Sequence, residues 1–380
     1  MPLVSKLPPK GITIFTVMSA LAAETGAINL GQGFPDFDCD GSLIDAVAAK
    51  MRAGHNQYCP MPGQLALREA LAGKIERLYG RRYDPVSEIT VTSGATEALF
   101  CTITALVHPG DEVIVLEPAY DSYVPAIQLS GGTPVFVTLR GPDFRIDWDA
   151  VRKALTPRTR LLILNSPHNP TGTTLRAGDL AELKDVLGRT AAWVASDEVY
   201  EHIVFDGGRH ESLARDPDLA SRSIVISSFG KTYHTTGWKV GYTAAPAEVT
   251  AEIRNIHQWV TFTVNSAIQL AYADLVADDP ECAALAGFYQ AKRDLFLDLM
   301  AGSRFRPLPS AGTFFQLMEY GDISGEPDRD FAIRMTKEHG VAAIPLSPFL
   351  HTAESGTVIR FCFAKKDATL RAAAERLCRM

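Results

Sequence analysis

Residues 223–232 read Ser-Ile-Val-Ile-Ser-Ser-Phe-Gly-Lys-Thr, a β-branched run that passes directly into a polar loop carrying one lysine. A run of this kind, with no polar alternation, suits a strand buried on both faces, as in a parallel sheet covered by helices. Working outward, the same phrase recurs at 88–92, 112–116, 161–164 and 192–195, each run leading into a loop of Gly, Pro, Asn or Asp and then a helical stretch. That alternation predicts an α/β fold with a mostly parallel mixed sheet over about residues 85–245. In open α/β sheets ligands bind beyond the carboxyl ends of the strands, so five loops converge on one expected site.

The alternation stops after Pro246. Residues 281–301 predict a long helix with Leu285, Phe288, Tyr289, Leu295, Phe296, Leu299 and Met300 on one stripe. Short strands near 313–318 and 358–363, a helix over 330–340 and a closing helix with Leu370, Ala374 and Leu377 facing inward complete the chain. The expected organisation is a large domain at 35–278, a smaller α+β domain at 279–380, and an N-terminal segment, 1–34, packing with the small domain. Residues 140–145, 206–210 and 321–328 read as exposed turns.

The chain has 380 residues, 46% of them hydrophobic and 21% charged, which excludes disorder and fibrous repeats. A net charge of −7 opposes nucleic-acid or anionic-membrane binding, since both depend on a basic face. Six cysteines stand without a CxxC pair, so no metal-binding spacing is present and reduced cytoplasmic thiols are expected. The run at 11–23, preceded by Lys6 and Lys10, places Ile14, Val17, Met18 and Leu21 at helical spacing, which suits an amphipathic helix better than an export signal. No stretch reaches the ~20 apolar residues of a membrane span.

Several strand-end residues carry chemistry. Lys231 stands where burial would favour a neutral, nucleophilic amine suited to a Schiff base, against the plain reading of a solvated loop lysine. Gly230-Lys231-Thr232 also matches the end of a phosphate-binding loop, but Val225 occupies the place of its first glycine. Asp197 would need a cation such as a protonated ring nitrogen, or else caps the next helix. Asn169 and Tyr200 could donate to a phenolate oxygen, while His168 reads as a loop residue. The small residues Gly94, Ala95 and Thr96 open a helix whose amides could face an anion, with Ser93 as a simple cap the alternative; Ser228 and Lys239 could add a hydroxyl and a charge. Tyr120 could stack on a flat ring. Arg360 lies inside an apolar strand, where a guanidinium needs a carboxylate or a structural salt bridge.

Taken together, the segments TSGATEAL (92–99), NSPHNPTG (165–172), SDEVYEH (196–202), SSFGKTYHTTGWKVGY (227–242) and IRFCFAKK (359–366) resemble the fold-type I pyridoxal-phosphate aminotransferases. The likeness spans about residues 12–376 and is greatest to the class I/II branch of kynurenine, glutamine and bacterial methionine aminotransferases. It implies that Lys231 holds pyridoxal 5′-phosphate as a Schiff base and shuttles a proton, that Asp197 pairs with the ring nitrogen, and that Asn169 and Tyr200 hold the ring oxygen. Tyr120 would stack on the ring. The phosphate would rest on Gly94, Ala95, Thr96, Ser228 and Lys239, and on Tyr58 from the second subunit of a homodimer with shared sites. Arg360 would bind the substrate carboxylate with Asn169 assisting, and Gly33, Phe15, Phe34, Tyr58 and Phe262 would line the substrate side.

The implied activity is ping-pong transfer of an amino group from an apolar, thioether or aromatic amino acid to a 2-oxo acid. Many relatives have arginine where this chain has Lys239, and no second arginine for a side-chain carboxylate stands near Phe15 or Phe262, so dicarboxylates are expected to be poor substrates. The competing readings are a C–S β-lyase on the same scaffold, a nucleotide-binding ATPase or kinase opposed by the missing loop glycine, and a cofactor-sensing regulator lacking a DNA-binding domain and basic charge.

Overall fold

Seven short strands, most of them buried aliphatic runs, assemble into one mixed sheet in the computed structural model, which describes residues 5–7, 12–279, 282–352 and 356–380. The strands are β1 (Ile89–Thr92), β2 (Glu112–Glu117), β3 (Thr133–Thr138), β4 (Thr159–Asn165), β5 (Trp193–Asp197), β6 (Ser223–Ser228) and β7 (Gly241–Ala244). They lie in the order β1-β7-β6-β5-β4-β2-β3. Only β7 runs against its neighbours, pairing antiparallel with β1 and β6, while the other pairs are parallel.

Both faces of the sheet are covered, which is why its central strands read as unbroken apolar runs. On one face Ala98, Leu99 and Ile103 of the helix Gly94–Leu106 pack against Val113, Val115, Ile163 and Ile226. On the other, Leu183 and Val186 of the helix Ala177–Gly188 meet Ile114, Leu162 and Val194.

A second, antiparallel sheet is built from β8 (Arg306–Pro307), β9 (Phe315–Glu319), β10 (Ile344–Pro345) and β11 (Val358–Cys362), in the order β10-β11-β9-β8. Helices Ala283–Met300 and Asp367–Leu377 bury Phe296, Leu370 and Leu377 with Phe361 of this sheet. Near the N-terminus, Thr13 caps the helix Ile14–Thr25 by accepting the Thr16 amide, and Gly26 ends it at φ 64°. Ile28–Asn29 then pairs in parallel with Val341–Ala342, which ties the early chain to the region that carries β8 to β11. No helix among the described residues is long and apolar enough to cross a membrane.

Several expectations are corrected. Strands β3 and β7 escape the apolar-run reading, β3 because it is half-exposed and contains Pro134, β7 because it is a short antiparallel return. The predicted helix at 330–340 begins at Asp328 and widens into a π-type turn at Met335–His339. The strand expected at 313–318 starts only at Phe315, since Thr313 adopts φ +67°. The three turns are not exposed throughout: Phe144 is buried, His210 is bonded to Glu198 at 2.8 Å, and Asp328 accepts from the Ser347 hydroxyl at 2.7 Å. Within the predicted helix at 281–301, Phe288 remains 39% exposed despite its place on the apolar stripe. Lys10, Gly11 and Glu281 lie outside the described residues.

At the start of β7 the sheet and the first turn of the helix Gly94–Leu106 are in backbone contact. A Cβ on Gly241 would sit 2.8 Å from the Ala95 nitrogen, the Gly94 carbonyl carbon and the Ser227 oxygen. Replacing Gly241 by Ala must therefore push strand and helix apart, and chemical denaturation should show a loss of about 1–3 kcal/mol.

Candidate active site

The carboxyl ends of β4, β5 and β6, the start of the helix Gly94–Leu106 and the segment 32–34 enclose a cleft of about 250 Å³. Among its lining residues are Gly33, Phe34, Gly94, Ala95, Thr96, Tyr120, Asn169, Asp197, Tyr200, Ser228, Lys231 and Lys239, so the loops read from sequence do converge.

Lys231 follows β6 on the single helical turn Phe229–Thr232. Its Nζ donates to the Gly33 carbonyl at 2.9 Å and lies over the rings of Tyr200 and Phe314. Burial, reinforced by the charges of Arg360 and Lys239, draws its pKa down to about 8. Asp197 closes β5 and is 4% exposed. Burial raises its pKa to about 6, although the Tyr123 hydroxyl donates to Oδ2 at 2.6 Å. No helix starts at Asp197, so the capping alternative does not hold; among the described residues the one backbone amide on its carboxylate is that of Val199 at 3.4 Å.

Arg360, in the middle of β11, is 1% exposed. Its guanidinium lies 3.9 Å from the Phe315 ring centroid, with Phe349 and Phe15 at 5.3 and 5.4 Å. Nη1 donates to Asn169 Oδ1 at 2.7 Å and Nη2 to the Gly31 carbonyl at 3.0 Å, while the buried Nε has no partner. Burial lowers its pKa to about 10. Among the described residues it forms no salt bridge, so the structural alternative fails and an anion-seeking group remains. Asn165 supports the arrangement: its Oδ1 accepts the Asn169 amide and its Nδ2 donates to the Asp197 carbonyl, both at 2.8 Å.

Gly94, at φ +74°, opens the anion-facing helix, and a Cβ there would lie 3.1 Å from Lys239 Nζ. Ser93 does not cap this helix; its amide is bonded to the Glu97 carboxylate. A strap at 31–34 crosses the site with its carbonyls held by cations, Gly31 by Arg360, Gly33 by Lys231 and Phe34 by Lys365 at 2.8 Å. A Cβ on Gly33 would approach Phe315 to 2.9 Å.

Not every expected residue reaches the cleft. Tyr58 and Phe262 pack edge to face at 5.4 Å on the surface, 82% and 46% exposed. Phe15 instead lines a neighbouring hollow with Tyr120 and Phe349. His168 is buried against Thr171 at 2.7 Å, and burial lowers its pKa to about 4. Sequence reasoning missed the roles of Tyr123 and Asn165; the i, i+3 spacing of Tyr123 from Tyr120 at a strand mouth was the available signal.

A family model for aminotransferase class I and II matches residues 25–377. The chain belongs to the class I and II aminotransferases. Methionine aminotransferase of Escherichia coli is 53% identical over 374 residues, covering 98% of this chain and 97% of that one. A kynurenine–oxoglutarate transaminase of Dictyostelium discoideum is 34% identical over 97% of this chain and 94% of its own. The solved N-succinyldiaminopimelate aminotransferase of Mycobacterium tuberculosis superposes with a TM-score of 0.96 at 41% identity, covering 100% of both chains. This aminotransferase is accordingly a transferase, and its cleft occupies the family's fold.

Because Asp197 is raised from 3.8 to about 6, the folded state holds its proton more tightly than the unfolded state does. That contribution to stability is complete below the unfolded value and is lost as pH rises through 6. In the ligand-free aminotransferase, Asp197→Asn should therefore be more stable above pH 6 by about 1–3 kcal/mol, the gap closing toward pH 4 in urea unfolding.

Proposed function

We propose that this aminotransferase uses pyridoxal 5′-phosphate to move the amino group of an apolar, thioether or aromatic L-amino acid, methionine included, to a 2-oxo acid in a ping-pong cycle. The observation that carries the reading is that Lys231 and Asp197 are buried in the wall of one cleft, with the buried Arg360 behind it bonded to Asn169 of the same wall, and that none of the three is in a salt bridge among the described residues. A flat ring bearing an aldehyde, a basic nitrogen and a phosphate would suit Lys231, Asp197 and the start of the helix Gly94–Leu106, and leaves Arg360 for a substrate carboxylate. The amine meets the aldehyde, the carboxylate the ring nitrogen, and the helix start with Ser228 and Lys239 the phosphate.

When bound, the cofactor supplies a protonated ring that spreads the electron pair left as Cα loses its proton. Asp197 keeps the ring nitrogen protonated, and Tyr123 holds that carboxylate in place. Tyr200 and Asn169 would hold the ring oxygen, and Tyr120, which lines the same cleft, would stack on the ring. The Arg360 guanidinium takes the substrate carboxylate with Asn169 beside it, which presents Cα to Lys231. Burial draws the Lys231 pKa down to about 8, so a larger share of the amine is neutral near neutral pH than for an ordinary lysine, and the neutral amine can accept the Cα proton. The aromatic surroundings of Arg360 favour apolar donors, as does the likeness to a methionine aminotransferase; the expectation that no second arginine stands near Phe15 is corrected, since Arg329 lines the hollow that Phe15 enters, outside the cleft of Lys231.

The exposure of Tyr58, Phe262, Val260 and Trp259, the last at 83%, supports a cytoplasmic homodimer in which Tyr58 and Phe262 reach the other subunit's cleft. Purified protein should show a visible cofactor band that bleaches when methionine is added without a keto acid; absence of any band after adding pyridoxal phosphate would refute the reading. Lys231→Ala should abolish amino transfer while leaving the melting curve in place. Arg360→Lys should raise KM for methionine about 10- to 100-fold in steady-state assays, and aspartate should turn over far more slowly than methionine.

A further inference from the structure

The helix that faces the phosphate seat carries a charge of the wrong sign. Glu97 lies in its first turn and is 7% exposed, where a carboxylate would repel the anion that Gly94, Ala95 and Thr96 line up to receive. Its two oxygens are both occupied: Oε2 accepts the Ser93 amide, and Oε1 accepts His257 Nδ1 at 2.7 Å. His257, on the helix Ala247–Val260, is fully buried. Its other nitrogen, Nε2, faces the Met61 carbonyl at 3.1 Å.

A carboxylate and a carbonyl can only accept, so both imidazole nitrogens must donate, and a neutral ring carries one N–H. We propose that His257 is held as a cation between Glu97 and Met61 to cancel the Glu97 charge beside the phosphate seat, and so acts as a positioning residue that sets how tightly the cofactor phosphate is held. The inference rests on the cofactor reading above.

Two neighbouring observations agree with it. Glu97 is pushed up by burial yet remains below its usual value on balance because His257 bonds to it and pairs with it. Cys101, whose Sγ lies 3.9 Å from Glu97, has its thiol pushed up to about 12 by burial, so it adds no competing charge. Glu97, Cys101 and His257 together have the composition of a metal site, with ligand atoms within 4.8 Å of one another. Both Glu97 oxygens accept N–H donors, however, and His257 Nδ1 is itself a donor, so the cluster is closed as an ion pair.

The same histidine connects the phosphate seat to the surface aromatics. Its own carbonyl accepts the Thr261 and Phe262 amides at 3.1 and 3.0 Å, and Met61 is three residues from Tyr58. The pair thus joins the seat to the two segments that carry Tyr58 and Phe262.

Calorimetric titration of ligand-free protein with pyridoxal phosphate, and separately with inorganic phosphate, tests the charge role. His257→Gln should weaken both ligands about tenfold by leaving Glu97 uncompensated, and adding Glu97→Gln should bring both back to within about threefold of the parent. Unchanged binding in His257→Gln, or a double variant as weak as the single one, would overturn the proposal, since a merely structural role would not be rescued by removing the carboxylate. A parent protein that fails to bind pyridoxal phosphate would refute the cofactor reading and this inference with it, by a signature the variants do not share. Should His257→Gln not fold, nitrogen NMR of the histidine-labelled parent decides: both His257 ring nitrogens protonated near neutral pH supports the ion pair, and a neutral ring refutes it.

Discussion

Removing a charged group from water without giving it a counter-ion is among the costliest things a fold can do. This chain buries three ionisable groups at one cleft, none in a salt bridge among the described residues: Lys231 and Asp197 in its wall and Arg360 behind it on Asn169. Burial pulls Lys231 toward its neutral form and pushes Asp197 the same way, while Arg360 gives up much of its hydration against Phe315. The rest of the structure can be understood as the scaffolding needed to bear that cost. Two sheets contribute the groups: Asp197 and Lys231 from the carboxyl edge of the large one, Arg360 from the middle strand of the small one. Apolar clusters back both sheets, and one of them joins Ile114, Leu162 and Val194 of the large sheet to Leu317 and Ile344 of the small one.

Much of this arrangement is legible in the sequence because the central strands are covered on both faces. Continuous β-branched runs such as Ile224-Val225-Ile226 have no other good explanation, and the reactive residues stand where those runs end. The parts that escape are those whose local signal is mixed. Thr133–Thr138 is half-exposed and interrupted by a proline, and Gly241–Ala244 is short and reversed in direction. Arg360 was legible as an anomaly, a guanidinium in an apolar strand, whereas the support beneath Asp197 was not. Tyr123 is 74 residues away from it and looks like core. Tyr58 and Phe262 remain outside the cleft of their own chain, because the apolar character that marked them in the sequence does not fix where their side chains lie.

The Glu97–His257 contact spans 160 residues and leaves no periodic trace, yet it had a local clue. An acidic residue in the first turn of a helix is ordinarily favourable to the helix dipole. Next to an anion seat the same residue is an electrostatic conflict. Conflicts of this kind, like the arginine in the apolar strand, are more informative than residues that satisfy every local rule, because something distant must resolve them.

The strap at 31–34 has a further consequence for how the protein is made. Its carbonyls are held by Lys231, Arg360 and Lys365, which follow the strap residues they bind by 198, 329 and 331 positions. At ordinary ribosomal speed the strap emerges roughly 15 to 65 seconds before Arg360 is synthesised. Lys231 is made well inside that interval and can take the Gly33 carbonyl, but the Gly31 and Phe34 carbonyls wait for Arg360 and Lys365, so the strap is held at one point of three until the chain is almost complete. The wall that the strap contributes to the cleft is thus among the last parts of the protein to be fixed during translation, long after the strand that leads into Lys231 has been made.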